Sequence, residues 1–223
     1  MTLTGLEAVF FDVDGVLLDS LPQHLRFCQD KAHQYGLNLS MPSADMLKRK
    51  IAEGISVSPM VNFFRAVGFP DMLAQRGTRD YEREFMPDYR PTGFPGVEEA
   101  IRALHAARLP LGLVTSNTRA NVEPALAHLM QYFDSRCLFY FDAHEPARDK
   151  VACLREGARR LGIAASRCCY IGDQPADAAA AQAAGYRFLG VSYGWGFQPD
   201  ERDVHVVDSI SAIPEAIARM QSE

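Results

Sequence analysis

The chain has 223 residues, 48% of them hydrophobic and 23% charged, enough for one sizeable core and a small second lobe. Its formal net charge of −5, without long basic runs, argues against nucleic acid or an anionic membrane as partner. No apolar run approaches a membrane span and no basic-then-apolar leader opens the sequence, while five cysteines, odd in number and without CxxC spacing, fit a reducing cytoplasm.

The first element is Ala8-Val9-Phe10-Phe11, short, apolar on both faces and rich in β-formers, as expected of a strand buried in a parallel sheet. From about Leu21 to Met86 the pattern is helical. Leu21, Leu25, Cys28, Ala32 and Tyr35 make one apolar stripe, Met60, Val61, Phe64 and Val67 make another, and Tyr81 and Phe85 continue it. The turn-rich stretch Tyr89 to Gly93 closes this region, and Pro95-Gly96 leads into a helix over about Val97 to Arg108. Strands and helices then alternate. Strands are predicted at Leu111–Val114, Leu138–Phe141, Cys168–Ile171 and Phe188–Val191, with a weaker one at Val204–Val207; helices are predicted at Val122–Met130, Val151–Leu161 and Ala176–Ala184. The reading is an α/β fold, a doubly wound parallel Rossmann-like sheet, with residues 1–16 and 91–223 as core and 17–90 as an inserted all-helical cap.

Several strands end in a small polar or acidic residue: Asp12, Thr115, Asp142, Asp173 and Ser192. Ligands of open α/β sheets bind beyond the carboxyl ends of the strands, so these ends are candidates for one site. Asp12 and Asp14 flank one residue in a loop that Gly15 lets turn tightly. Asp173 ends another strand, and Asp177 lies in the first turn of the helix that Pro175 opens. Asp177 suits favourable interaction with that helix N-terminus equally well. Four carboxylates in one cleft require protonation or a cation, and an all-oxygen donor set suits Mg²⁺. Zinc is disfavoured, because no His/Cys cluster has ligand spacing and His144 stands alone. Thr115, Ser116 and Asn117 could hold a phosphate through hydroxyl and backbone N–H groups, or Thr118 or Asn121 could simply cap a helix. Lys150 opens a helix, where a cation is mildly unfavourable, which suggests another task for it.

Phe11-Asp12-Val13-Asp14-Gly15-Val16-Leu17-Leu18-Asp19-Ser20, Val114-Thr115-Ser116-Asn117, and Gly172-Asp173 with Asp177 resemble motifs of the haloacid dehalogenase-type phosphatases, in their phosphoglycolate phosphatase-like branch. The resemblance spans essentially the whole chain. It implies a Mg²⁺-dependent hydrolase of a small phosphorylated metabolite. Asp12 would be the nucleophile that becomes an aspartyl-phosphate, and Asp14 the proton donor and later base. Asp12, the Asp14 backbone carbonyl and Asp173 would hold Mg²⁺, with Asp177 orienting Lys150 or a metal-bound water. Thr115 and Lys150 would bind the transferring phosphoryl group, helped by Ser116 and Asn117. The lysine motif departs from the family pattern, since Val151 rather than proline follows Lys150; Arg148 is the alternative cation. Asp14 argues against a dehalogenase. A phosphosugar mutase and a non-catalytic binding module on the same fold are the competing readings. Lys48-Arg49-Lys50 is the one dense basic cluster, read as a solvated helix face or as a contact to an anionic substrate.

Overall fold

The computed structural model describes residues 5–86, 88–142 and 149–222. In chain order the elements are β1 (Ala8–Phe11), β2 (Leu18–Asp19), α1 (Leu21–Gln34), α2 (Ala44–Ala52), α3 (Met60–Ala66), α4 (Asp71–Glu84), β3 (Thr92–Gly93), α5 (Val97–Ala106), β4 (Leu111–Val114), α6 (Arg119–Ala125), β5 (Leu138–Phe139), α7 (Lys150–Leu161), β6 (Cys168–Gly172), α8 (Pro175–Ala184), β7 (Arg187–Val191), β8 (Val206–Val207) and α9 (Ile213–Ser222).

Six strands form one parallel sheet in the order β5-β4-β1-β6-β7-β8. The central strand is the first, and its neighbours come from much later in the chain: Val9 sits opposite Leu111 on one side and Cys169 on the other. Alternation of side chains along each strand explains why the strands are apolar throughout. Val9, Phe11, Leu111, Leu113 and Ile171 point to one face and join Ile101 and Leu104 of α5 and Ile213 and Ile217 of α9. Ala8, Phe10, Cys168 and Tyr170 point to the other and join Leu154 of α7 and Ala181 of α8. Phe10 fills its site closely: a Cβ on either Gly112 or Gly157 would meet its ring at 2.5 Å. The parallel sheet with helices on both faces and a helical insert matches the fold class read from sequence.

The insert follows β1 directly. Phe27 of α1, Leu47 and Ile51 of α2, Phe63 and Phe64 of α3, and Tyr81 of α4 form a separate apolar cluster, to which the core contributes Trp195. Aromatic rings make much of it, with Phe27 at 5.7 Å from both Tyr81 and Phe85, edge to face. Where the chain leaves and re-enters the core, β2 and β3 pair antiparallel, Leu18 opposite Gly93.

Several elements differ from expectation: β2 and β3 were not anticipated, and β8 covers only Val206–Val207 of the expected Val204–Val207. Helix α6 begins at Arg119 rather than near Val122 and ends at Ala125. Its first turn is held from a distance, because the Arg119 N–H donates to Asp142 Oδ1 at 3.0 Å, and Thr118 makes no side-chain cap. Asp142 is therefore a capping group, and the strand before it stops at Phe139 rather than Phe141. Helix α9, with Ile213, Ala216, Ile217 and Met220 buried at helical spacing, was not anticipated. No cysteine among the described residues is in a disulfide.

Candidate active site

The site lies at the carboxyl ends of β1, β4 and β6. The Asp12 N–H continues the sheet by donating to the Ile171 carbonyl at 2.9 Å, and Asp12 Oδ1 accepts from the Val13 N–H at 2.8 Å. The loop then turns through Gly15, whose φ of +80° disfavours any side chain. Asp173 follows β6. Its Oδ2 accepts from the Trp195 N–H at 2.7 Å, and its carbonyl accepts from the N–H groups of Gly196 and Phe197 at 3.0 and 3.1 Å. A Cβ on Gly15 or on Gly194 would collide with the Asp173 side chain, so backbone from two loops closes directly around this carboxylate.

Asp177 serves two purposes at once. Its Oδ2 accepts from the Gln174 N–H at 3.1 Å, half of a reciprocal capping box that starts α8. Its Oδ1 accepts from Lys150 Nζ at 2.6 Å. Lys150 also donates to Asp12 Oδ2 at 2.8 Å, so one ammonium bridges two carboxylates. Asp149 caps α7 ahead of it, accepting from the Val151 N–H at 2.8 Å. Asp177 therefore caps α8 with one carboxylate oxygen and pairs with Lys150 through the other.

Asp12, Asp173 and Asp177 are 5%, 0% and 1% exposed, and each offers a carboxylate oxygen within 4.8 Å of the others. Lys150 balances only one of the three charges. Burial, against the pull of Lys150 and with the push of Asp177, raises Asp12 from the ordinary 3.8 to about 7. Burial and then the charges of Asp177 and Asp12 raise Asp173 well above the carboxylate range. Burial opposes the charge on Lys150, but Asp12 and Asp177 outweigh it and hold the lysine protonated. Asp173 Oδ1 is buried with no hydrogen-bond partner among the described residues. A buried carboxylate oxygen without a donor, beside two more hard oxygen donors, fits a small divalent cation of the Mg²⁺ type.

The loop after β4 faces this cluster. The Asn117 N–H donates to Thr115 Oγ1 at 3.1 Å, and Asn117 Nδ2 donates to Asp14 Oδ2 at 2.9 Å. Asn117 Oδ1 accepts from the Thr118 N–H at 2.8 Å and from Asn121 Nδ2 at 3.1 Å, with the Tyr81 hydroxyl at 3.2 Å. Tyr81 comes from the helical insert. Its hydroxyl is also 3.0 Å from His24 Nε2, while His24 Nδ1 donates to the Ser20 carbonyl at 2.7 Å. Burial lowers the pKa of His24, whose ring lies within 5.4 Å of those of Phe63, Tyr81, Phe85 and Trp195. A chain of polar contacts thus runs from His24 through Tyr81 and Asn117 to Asp14.

A cavity of about 820 Å³ joins the insert to the sheet ends, lined among others by Asp12, Asp14, Thr115, Ser116, Asn117, Lys150 and Asp177. Asp173 sits against Asp12 and Asp177 behind it. Of the five strand-end residues, Asp12, Thr115 and Asp173 meet here. Asp142 and Ser192 do not: Asp142 caps α6, and the Ser192 hydroxyl donates to the Val207 carbonyl at 3.4 Å. The alternative cation Arg148, and His144, lie outside the described residues. Sequence reasoning missed His24, the polar role of Tyr81, and the Gly194-Trp195 loop around Asp173. Only the glycines of Tyr193-Gly194-Trp195-Gly196, just past a strand end, could have signalled the last.

A profile of the haloacid dehalogenase-like hydrolases matches residues 6–185. The phosphoglycolate phosphatase of Chromobacterium violaceum is 30% identical over 203 residues, covering 87% of this chain and 89% of that protein. The N-acetylmuramic acid 6-phosphate phosphatase of Pseudomonas aeruginosa is 28% identical over 204 residues, covering 90% and 87%. Among solved structures, a haloacid dehalogenase-like family hydrolase from Streptococcus pneumoniae superposes with a TM-score of 0.75 at 20% identity, covering 97% of this chain and 99% of that one, a likeness of fold. The chain belongs to the haloacid dehalogenase-like hydrolases, in their phosphoglycolate phosphatase-like branch, and is an enzyme of the phosphatase type.

Proposed function

We propose that the chain is a Mg²⁺-dependent phosphohydrolase that cleaves a small phosphate monoester through an aspartyl-phosphate on Asp12. The observation that carries this is the Lys150 ammonium shared between Asp12 Oδ2 and Asp177 Oδ1, beside a buried Asp173 oxygen with no donor among the described residues. A purely structural ion pair would not need the third carboxylate.

In this reading Asp12 attacks phosphorus, and the bond from phosphorus to the leaving alcohol oxygen breaks. A carboxylate nucleophile divides one difficult hydrolysis into two easier transfers. Val13 and Lys150, each 2.8 Å from an Asp12 oxygen, orient the nucleophile. Lys150, with the hydroxyls of Thr115 and Ser116 and the Ser116 N–H, then meets the charge on the equatorial phosphoryl oxygens, while the Thr115 and Asn117 N–H groups hold the loop by donating to the Phe139 carbonyl and to Thr115 Oγ1. Asp14 gives a proton to the leaving oxygen. It takes one back from the water that attacks phosphorus in the second step and releases Asp12. Asn117, donating to Asp14 Oδ2, sets the direction of that carboxyl group. Asp12, Asp173 and Asp177, with the Asp14 backbone carbonyl, would hold Mg²⁺, which when bound neutralises phosphoryl charge. Residues 17–90 would act as a cap that excludes water from the phosphoenzyme.

The test is hydrolysis of 4-nitrophenyl phosphate by metal-stripped protein. Activity should vanish in excess chelator and return with added Mg²⁺. Full activity in chelator contradicts the metal assignment.

A further inference from the structure

The cavity does not end at the phosphoryl site. Away from Asp12 and Lys150 it continues under the helical insert, where Ile51, Ile55, Val57, Met60, Phe63 and Trp195 line it. Ile51 comes from α2, Met60 and Phe63 from α3, and Ile55 and Val57 from the link between them. Ile55 is 47% exposed, at the solvent side of this wall. The polar lining groups of the insert are neutral: the hydroxyls of Ser56, Ser58 and Tyr81, and His24. Lys48, Arg49 and Lys50 lie on α2 but none of them lines the cavity, so the basic cluster does not reach the substrate from there. Among the described lining residues the one Lys or Arg is Lys150, already shared by two carboxylates. Trp195 adds a buried indole Nε1 with no hydrogen-bond partner among the described residues.

From this wall we infer that the preferred substrate is a phosphate monoester of an uncharged, largely apolar alcohol, ring-sized or larger, and not of a hydroxy acid such as glycolate. The inference rests on the phosphohydrolase reading of the site. A carboxylate placed against Ile51, Val57 and Phe63 would lose its hydration without gaining a cation from the described lining residues other than Lys150, whereas an apolar group gains by leaving water. A cavity of about 820 Å³ is near the upper end of the roughly 300–1,000 Å³ typical for small-molecule sites, well beyond what a two-carbon acid fills. The unpartnered indole N–H suits one hydroxyl or ether oxygen on the alcohol.

Benzyl phosphate and phosphoglycolate, both esters of alkyl alcohols, separate the possibilities. With Mg²⁺, kcat/KM for benzyl phosphate should exceed that for phosphoglycolate by about tenfold or more, mainly through KM. Calorimetric titration with benzylphosphonate and phosphonoacetate, which cannot be hydrolysed, measures the wall without turnover. Benzylphosphonate should bind more tightly by a similar factor. Equal or reversed order in that titration overturns the inference, whether or not the esters turn over. Failure of both esters to react while the phosphonates bind in the expected order overturns the phosphohydrolase reading instead. Ile55→Lys, at an exposed position, should narrow the benzyl preference by about fivefold; an unchanged ratio would place the alcohol elsewhere and also overturn the assignment.

Discussion

Asp12→Asn should make the metal-free protein more stable while abolishing its activity. Asp12 is nearly isosteric with Asn, and its pKa rises from 3.8 to about 7 on folding. At 1.36 kcal/mol per pH unit, that rise means ionised Asp12 costs the folded state about 4 kcal/mol above pH 7. Asn avoids the charge but cannot accept both from Val13 and from Lys150 as Asp12 does. Losing one such bond costs about 1–2 kcal/mol, which leaves a net gain of about 2 kcal/mol. The sign with pH follows from the direction of the shift. The folded state binds the Asp12 proton more tightly than the unfolded chain, so wild-type stability falls as pH rises from about 3.8 to about 7 and is level beyond. Urea unfolding in chelator at pH 8 should therefore show the variant with a midpoint about 1 M higher. At pH 4.5 the ionisation cost shrinks to about 1 kcal/mol, and the advantage should disappear. Saturating Mg²⁺ at pH 8 should reverse the order, because only the wild type keeps the full carboxylate set. A variant no more stable than wild type at pH 8 in chelator, or a gain that persists at pH 4.5, would refute the argument that burial of excess negative charge is the strain in this site.

Lys150→Ala should lower kcat by about 10²-fold or more while far-UV circular dichroism stays native, since it removes the cation from the phosphoryl site; unchanged kcat would mean another cation does this work. Tyr81→Phe deletes the hydroxyl between His24 and Asn117. It should slow turnover of alkyl phosphates by about three- to tenfold and of 4-nitrophenyl phosphate much less, because only the poorer leaving group needs the proton of Asp14; equal loss on both would mean a merely structural hydroxyl. Replacing Lys48, Arg49 and Lys50 together with Ala should leave kcat/KM on aryl and benzyl phosphates within about twofold, because none of the three lines the cavity, although Lys48 Nζ donates to the Tyr193 carbonyl at 3.4 Å.

The sheet was legible because a parallel strand covered on both faces must be apolar at every position, and Ala8–Phe11, Leu111–Val114 and Cys168–Gly172 are. The two-residue strands Leu18–Asp19 and Thr92–Gly93 carry no such pattern and exist through pairing with each other. The start of α6 escaped for a related reason, since its cap, Asp142, is supplied by a residue 23 positions away. In the site, Asp12 and Asp173 stand at strand ends, as read from the sequence, while the helix start marked Lys150 only as a cation out of place, its phosphoryl-binding role being what the family resemblance implied, with Arg148 as the alternative. Tyr81 was not legible, because on α4 it reads as one more aromatic in an apolar stripe. Its hydroxyl gains meaning only when the insert folds over Asn117. The apolar wall is likewise invisible in one dimension, being assembled from α2, α3, their link and the loop at Trp195.

The central claim is that Asp12 carries the phosphoryl group and Asp14 moves the proton. Rapid-quench kinetics on 4-nitrophenyl phosphate, with intact-protein mass measurement, tests it by comparing Asp12→Asn with Asp14→Asn. Asp14→Asn keeps the nucleophile and the backbone carbonyl at position 14. Its nitrophenolate leaving group scarcely needs a proton, so it should release a burst of at most one nitrophenol per site and then stall with phosphate attached to protein. Asp12→Asn should show neither burst nor attached phosphate. Phosphate attached to the Asp12→Asn protein, or steady turnover by it at the wild-type rate, would contradict the account.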